Sequence, residues 1–430
     1  MSRIDAASST QLRRAVFSSY LGSLIEFYDF LLYATAAALV FNQVFFSDMD
    51  PVVGTAASFG TLFAGYLARP LGGIVFGHFG DRLGRKKMLI ITMTTMGVAS
   101  VLIGVLPTYD QVGALAPLLL VALRIVQGIA LGGEWGGAVL ISAEHATTRR
   151  GLWASFTNAG APSGMVVSTG VLALVAAGTT EAQFLAWGWR LPFLFSVALL
   201  ALGLFVRLKV TETPVFTDAA PAASESWPLV EVVRRHPRNL LLAIGIGFGA
   251  FVAQSAITVF VISYAVQSGF ERGSVLNALV LSSTLAIAGI LGYSALSDRI
   301  GRRPVVMVGA LGMAAVAFAL FPLIDSGSWV LLVFAVVLGQ AVIHPMMYGP
   351  LAALYSEMFG TRTRYTGASL GYQISSTGAG AAPLVFAALL AAGASTLVLS
   401  AIIAACCLIT ALCIWAAGET HRTDLTRTTP

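Results

Sequence analysis

The sequence predicts an all-α integral membrane protein with twelve transmembrane helices in two pseudo-symmetric six-helix bundles. Asp-Arg followed by Gly and basic residues closes an apolar stretch twice, as Gly77, Gly80, Asp81, Arg82, Gly84, Arg85, Lys86 and as Asp298, Arg299, Gly301, Arg302, Arg303. Copies roughly half a chain apart mark a duplicated membrane bundle. Composition agrees, since 57% of the 430 residues are hydrophobic and only 10% are charged, whereas a soluble domain carries about 25% charged residues.

Apolar runs of about 20 residues, the length a bilayer requires, fall near 17–44, 54–78, 88–106, 113–142, 152–177, 190–208, 239–266, 275–296, 304–323, 329–354, 367–391 and 396–417. The first is too long for the core of a cleavable signal and reads as a retained helix. The long polar stretch containing Glu212, Asp218, Pro221, Glu225, Pro228 and Glu231 reads as the connection between halves. The expected organisation is a first bundle over 1–208, a cytoplasmic linker over 209–238, a second bundle over 239–417 and a cytoplasmic tail over 418–430. Cys406, Cys407 and Cys413 all lie in the last run and read as small buried hydrophobes, with no disulfide and no metal site expected.

Basic residues set the orientation. Arg82, Arg85, Lys86, Lys87, Arg149, Arg150, Arg234, Arg235, Arg299, Arg302, Arg303, Arg362 and Arg364 belong to one side, and Arg190 and Arg272 to the other. The positive-inside rule then places both termini in the cytoplasm. These charges are spread over short loops rather than gathered in a patch, so the basic balance argues for a lipid bilayer and against a nucleic-acid partner. No GxxxxGK[ST] loop is present. The expected energy source is a proton gradient, with no cofactor.

Charges within a span are expensive in lipid and are functional candidates by default. Glu26 and Asp29 fall in the first span, Arg69 in the second, and Arg124 and Glu134 in the fourth; His344 is the strongly polar titratable group deep in the second half. Gly22, Glu26, Asp29 and Tyr33 recur at helical spacing and form one stripe. Asp29 and Arg124 lie at similar depth, so a pair is expected between them, either as a permanent link or as a proton-sensitive one. Asp29, Glu26 and Glu134 are the candidate proton carriers. Arg69 precedes Pro70, Gly72 and Gly73, which predicts a bend or break there. Its guanidinium either meets an anionic substrate in bidentate geometry or neutralises Asp29 or Glu26. His344, before Pro345, either binds substrate or bonds a backbone carbonyl at the proline gap. In the fourth span, Gly128, Gly132, Gly133, Gly136 and Gly137 predict close helix packing, and Glu134 either shuttles a proton or pairs with a loop arginine.

Asp81 and Asp298 stand at helix ends where each could cap a helix of the opposite half, near Gly367 and Gly151 respectively. With Arg82, Arg85, Arg299, Arg302, Glu144 and Glu357 they form the expected inner gate, the alternative being solvated loop charges.

These residues carry a family resemblance. Glu26-Phe27-Tyr28-Asp29-Phe30, Arg69-Pro70, Gly77 to Lys86, Arg124-Ile125-Val126-Gln127-Gly128, Gly132 to Gly137 and Arg364-Tyr365-Thr366-Gly367 resemble the major facilitator superfamily and, within it, the metabolite:proton symporters. Phe30-Leu31-Leu32-Tyr33, Phe76 to Arg82 and Gln183 to Arg190 are most similar to the shikimate transporter branch. The resemblance implies the major facilitator fold, alternating access, proton-driven uptake of a small carboxylate metabolite, a plasma (bacterial inner) membrane location and a monomer. The substrate-binding candidates are Arg69, Arg124, Gln127, Tyr33 and His344. Competing functions are a proton-antiporting exporter and a transporter-like metabolite sensor. An enzyme is not expected, because no nucleophile stands beside a base.

Overall fold

The computed structural model describes residues 3–83, 85–145, 148–209, 228–360 and 363–421, the side chains of 3–15, 77–83, 85–86, 140–141, 143–145, 207–209 and 228–230 excepted. Its regular elements are helical, as expected where hydrocarbon forces each backbone N–H and C=O to find a partner within its own segment. α1 covers Arg3–Leu39, α2 Pro51–Leu83 and α3 Arg85–Gly104. α4 runs Leu115–Gly132 and resumes at Trp135–His145, α5 is Arg150–Ala177, and α6 is Glu181–Gly188 followed by Arg190–Lys209. In the second half lie α7 Pro237–Gln267, α8 Arg272–Ile300, α9 Arg302–Asp325, α10 Trp329–Glu357, α11 Arg364–Ala391 and α12 Thr396–Ala416.

Ten of the described helices are long and apolar enough to cross a bilayer alone, and the two pieces of α6, bent by 45°, make an eleventh span. α1 is the twelfth, with 37 residues and an apolar run interrupted by Glu26 and Asp29. Leu174, Leu241, Val330 and Trp415 point outward, as a lipid-facing surface requires.

Within the first half, small residues let backbones approach where hydrophobic pressure is absent. A Cβ at Gly128 would overlap the Gly65 carbonyl, one at Gly132 the Arg69 carbonyl, and one at Gly72 the Ile129 carbonyl, so α2 and α4 meet backbone to backbone. Gly160 and Gly164 of α5 fit the same way against Ser23 to Tyr28 of α1. The halves join through α2 on α11 and α5 on α8, two contacts related by the repeat. Cys406, Cys407 and Cys413 are free thiols on α12. Cys413 packs on Gly245 and the Cys406 backbone on Gly249, both of α7.

The break expected at Pro70 is corrected: α2 stays helical through it, because in a packed bundle neighbouring helices support the turn that the proline weakens. The irregularities lie elsewhere. α4 breaks at Gly133 and Glu134, α6 winds as a wider π turn over Phe184–Gly188, and α7 and α10 do so over Ala256–Phe260 and Leu338–Ile343. Arg190 stabilises the end of α3 by donating to the carbonyls of Gly104 at 3.0 Å and Leu106 at 2.6 Å.

The α2–α4 contact generates a test. Gly128→Ala should destabilise the protein by about 1–3 kcal/mol through overpacking, lowering the thermal unfolding midpoint in detergent. Gly60→Ala, where a Cβ meets nothing, should not.

Candidate functional site

Phe30 and Tyr33 lie three residues apart on α1 and therefore share a face, whereas Asp29 points about 100° away from Phe30. Arg124 of α4 is fully buried against that aromatic face, its Cζ 3.7 Å from the Phe30 ring centroid and 4.1 Å from that of Tyr33. Tyr33 is held in place by donating to Thr61 Oγ1 at 2.6 Å. Arg124 Nη1 donates to Gln127 Oε1 at 3.0 Å, while Nε and Nη2 have no acceptor. Gly65 leaves room for this side chain, since a Cβ there would lie 2.5 Å from Arg124 Nε.

Arg69 of α2 is equally buried. Its Nε donates to Gln373 Oε1 of α11 at 2.9 Å, and Gln373 Nε2 donates to the Gly132 carbonyl at 3.0 Å, so one amide ties α2, α4 and α11 together. The Arg69 Cζ lies 5.4 Å from the Phe30 ring, 5.3 Å from Tyr66 and 5.7 Å from Tyr372, and its Nη2 has no partner. Tyr372 stacks on Trp135 at 3.7 Å and shares a 2.8 Å hydrogen bond with the hydroxyl of Tyr348. Two cations thus share one aromatic wall, where ring quadrupoles replace part of their lost hydration.

The expected Asp29–Arg124 ion pair is absent among the described residues. Equal depth places two groups at one level but not on facing sides, and the helical rotation from residue 29 to residue 30 sends Asp29 toward α6 and α3. There it accepts a hydrogen bond from Ser196 and faces Ser100. A relay of neutral groups connects the two charges instead, because Ser100 Oγ accepts from Gln127 Nε2 at 2.8 Å and Gln127 accepts from Arg124. The stripe of Gly22, Glu26, Asp29 and Tyr33 accordingly serves more than one neighbour. Neither Arg69 nor Arg124 pairs with a carboxylate among the described residues, which removes the neutralising role considered for Arg69. Glu26 and Glu134 are buried, and Glu134 accepts from Thr92 at 3.3 Å. His344 is buried beside the Ala250 carbonyl of α7, with Nε2 lacking a partner.

At the arginine-rich end the halves are latched. Asp298 of α8 accepts from the backbone N–H groups of Gly151 at 2.8 Å and Leu152 at 3.0 Å, capping α5 as its sequence position predicts. Arg302 bridges Asp298 at 2.8 Å and Glu357 at 3.1 Å, and Arg150 of the first half reaches Glu357 at 3.5 Å. Thr420 also donates to Glu357, at 2.7 Å. Burial alone would raise the Glu419 pKa, but N–H donors from Arg302, Arg303 and His421 outweigh it and hold the carboxyl below its ordinary range. Arg299, expected in the gate, is exposed and takes no part in these contacts. The side chains of Asp81, Arg82, Arg85 and Glu144 lie outside the described residues. At the opposite end, Arg272 of α8 binds Glu181 of α6 through two 2.9 Å hydrogen bonds and lies over Phe184. That second latch was not anticipated, although Arg272 is one of only two basic residues assigned to its side. The halves are thus joined at both ends at once.

Twelve spans, a twofold repeat and two arginines buried against one aromatic wall define a multi-pass membrane transporter. The chain belongs to the Major Facilitator Superfamily, whose profile matches residues 19–383. It is 41% identical over 389 residues to the shikimate transporter of Escherichia coli K12, covering 89% of each chain, and 39% identical over 388 residues to the inner membrane metabolite transport protein YhjE of the same organism, covering 87% of each. The proline/betaine transporter of Escherichia coli K12 is 34% identical over 88% of this chain and 78% of its own. Among solved structures, a D-xylose-proton symporter superposes with TM-score 0.77 at 18% identity, over 96% of this chain and 99% of that one. This structural likeness concerns the fold.

Asp298→Asn should weaken the cap by about 0.3–2 kcal/mol and shift the population severalfold toward the state open at the arginine-rich end. In a variant lacking the native cysteines, Ser155→Cys should then label faster with a membrane-impermeant maleimide, with ligand affinity nearly unchanged. Labelling at the parent rate would refute the latch.

Proposed function

We propose that the protein is a proton-coupled symporter that imports a small organic carboxylate across the bacterial inner membrane, as a monomer, by alternating access. The arginine-rich end and both termini then face the cytoplasm. The observation that carries this reading is the Nε and Nη2 edge of Arg124, a buried two-donor fork left without acceptors among the described residues. A carboxylate satisfies both donors at once. The unpartnered Nη2 of Arg69 adds a third donor on the same aromatic wall. The names of the relatives, a shikimate transporter and a proline/betaine transporter, agree with carboxylate-bearing cargo.

Asp29 is the proposed proton carrier, being buried with hydroxyl partners and no cation in contact among the described residues. In the empty carrier its negative charge and the positive charge of the Arg124 guanidinium offset one another through Ser100 and Gln127. Once a substrate carboxylate compensates Arg124, the compensation of Asp29 is lost and protonation becomes favourable. Reorientation is easiest when both charges are balanced, which couples proton to substrate. Glu26 and Glu134 are the alternative carriers.

Proteoliposomes should accumulate the substrate acid when the outside is acidified, and a protonophore should abolish accumulation; uphill uptake that survives it would exclude proton coupling. Arg124→Gln should weaken carboxylate binding by about 1.5–3 kcal/mol through loss of charge-assisted hydrogen bonds, with no such loss for a neutral analogue. Asp29→Asn should retain substrate exchange and lose accumulation, because the amide imitates a permanently protonated carboxyl. Normal accumulation by Asp29→Asn would move the role to another carboxylate.

A further inference from the structure

We infer that the second half contributes an uncharged, hydroxyl-reading subsite centred on His344, and that the substrate is a monocarboxylate bearing hydroxyl groups rather than a dicarboxylate. This inference rests on the carboxylate-uptake reading above. A small pocket between the halves has an apolar wall from the first half, including Leu31 and Pro162, and a hydrogen-bonding wall from the second, formed by Gln254, Thr258, Gln340 and His344. No Arg, Lys, Asp or Glu lines it.

His344 is 3% exposed and its Nε2 has no partner. A buried nitrogen of this kind is costly unless something fills the vacancy. Gln340 is already committed, accepting from Ser282 at 2.6 Å and donating to Ser283 at 2.8 Å, so it forms a fixed part of the wall. The backbone gives an independent sign. Thr258 and Gln340 both fall within the π turns of α7 and α10, a distortion that concentrates at functional sites.

A tyrosine pair connects the pocket to the buried Arg69. The His344 ring stacks on Tyr348 at 5.3 Å, Tyr348 hydrogen-bonds Tyr372 at 2.8 Å, and Tyr372 lies 5.7 Å from the Arg69 guanidinium carbon. A ligand with its carboxylate on the arginines therefore directs its other end toward groups without charge. A second carboxylate there would be buried beside no cation. A hydroxyl, able to donate and to accept, satisfies Nε2 in either tautomer. Such a ligand also links the two halves, because its charged end belongs to one and its neutral end to the other.

Uptake into proteoliposomes of shikimate, of cyclohexene carboxylate, which lacks the hydroxyls, and of succinate tests this directly. The wild type should favour shikimate over both by about tenfold or more in KM, the factor that the net loss of one buried hydrogen bond carries. His344→Leu should raise the shikimate KM about tenfold and leave that for cyclohexene carboxylate within about twofold, while His344→Gln should recover part of the preference. Equal handling of the three acids by the wild type, a measurement that needs no variant, would overturn the subsite, as would an unchanged preference in folded His344→Leu. Wild-type protein that moves none of the three would instead overturn the carboxylate-uptake reading.

Discussion

Two guanidinium groups buried without a carboxylate partner among the described residues are the constraint around which the site is organised. Removing such a charge from water is costly, and a facing carboxylate would recover the loss but leave nothing for a ligand to gain. Here the compensation is partial by construction. Phe30, Tyr33, Tyr66 and Tyr372 present ring faces, and Gln127 and Gln373 each accept one hydrogen bond. The net positive charge survives, and with it the attraction for an anion.

The same economy explains the helix packing. Arg124 fits because Gly65 has no side chain, and α2 and α4 approach because Gly72, Gly128 and Gly132 have none. The stiffness this confers on the first half contrasts with the contacts between halves. Those include α2 on α11, α5 on α8, the Trp135–Tyr372 stack, the Asp298 cap on α5, one amide from Gln373, and ion pairs at each end that solvent can replace. A rigid half moving against its partner through exchangeable contacts is the mechanical requirement of alternating access. Glu357 is the meeting point at the arginine-rich end, holding Arg302 of its own half, Arg150 of the other and Thr420 after α12.

Much of this was legible in the chain itself. Twelve apolar runs, the repeated Asp-Arg-Gly pattern and the small residues of α4 follow from period and composition, and the helix-capping role of Asp298 follows from its place in the repeat. Arg69 and Arg124 were identifiable because an intramembrane charge is too expensive to be incidental, Tyr33 stood on the helical stripe and Gln127 in the family motif, and all four belong to one cluster around Phe30. Gln373, Tyr372 and the Glu181–Arg272 pair were not, since a polar residue on a second-half helix carries no mark of which first-half group it will meet. The break at Gly133 had a signal in the Gly132–Gly133 pair; Pro70, the more conspicuous mark, produced none.

Hydrophobic length, charge cost and repetition are local properties, so the sequence alone determined the class of fold, the twelve spans and the candidate residues for chemistry. Direction around a helix axis relative to a distant neighbour is not local. Tertiary packing alone decided that Asp29 turns to Ser196 while Phe30, one residue on, faces Arg124. It also decided that Arg124 keeps two donors unfilled and that His344 looks into a pocket without charge. The physical reason is that depth in a membrane follows from counting residues, whereas a partner is chosen by the rotation and close approach of helices far apart in the chain.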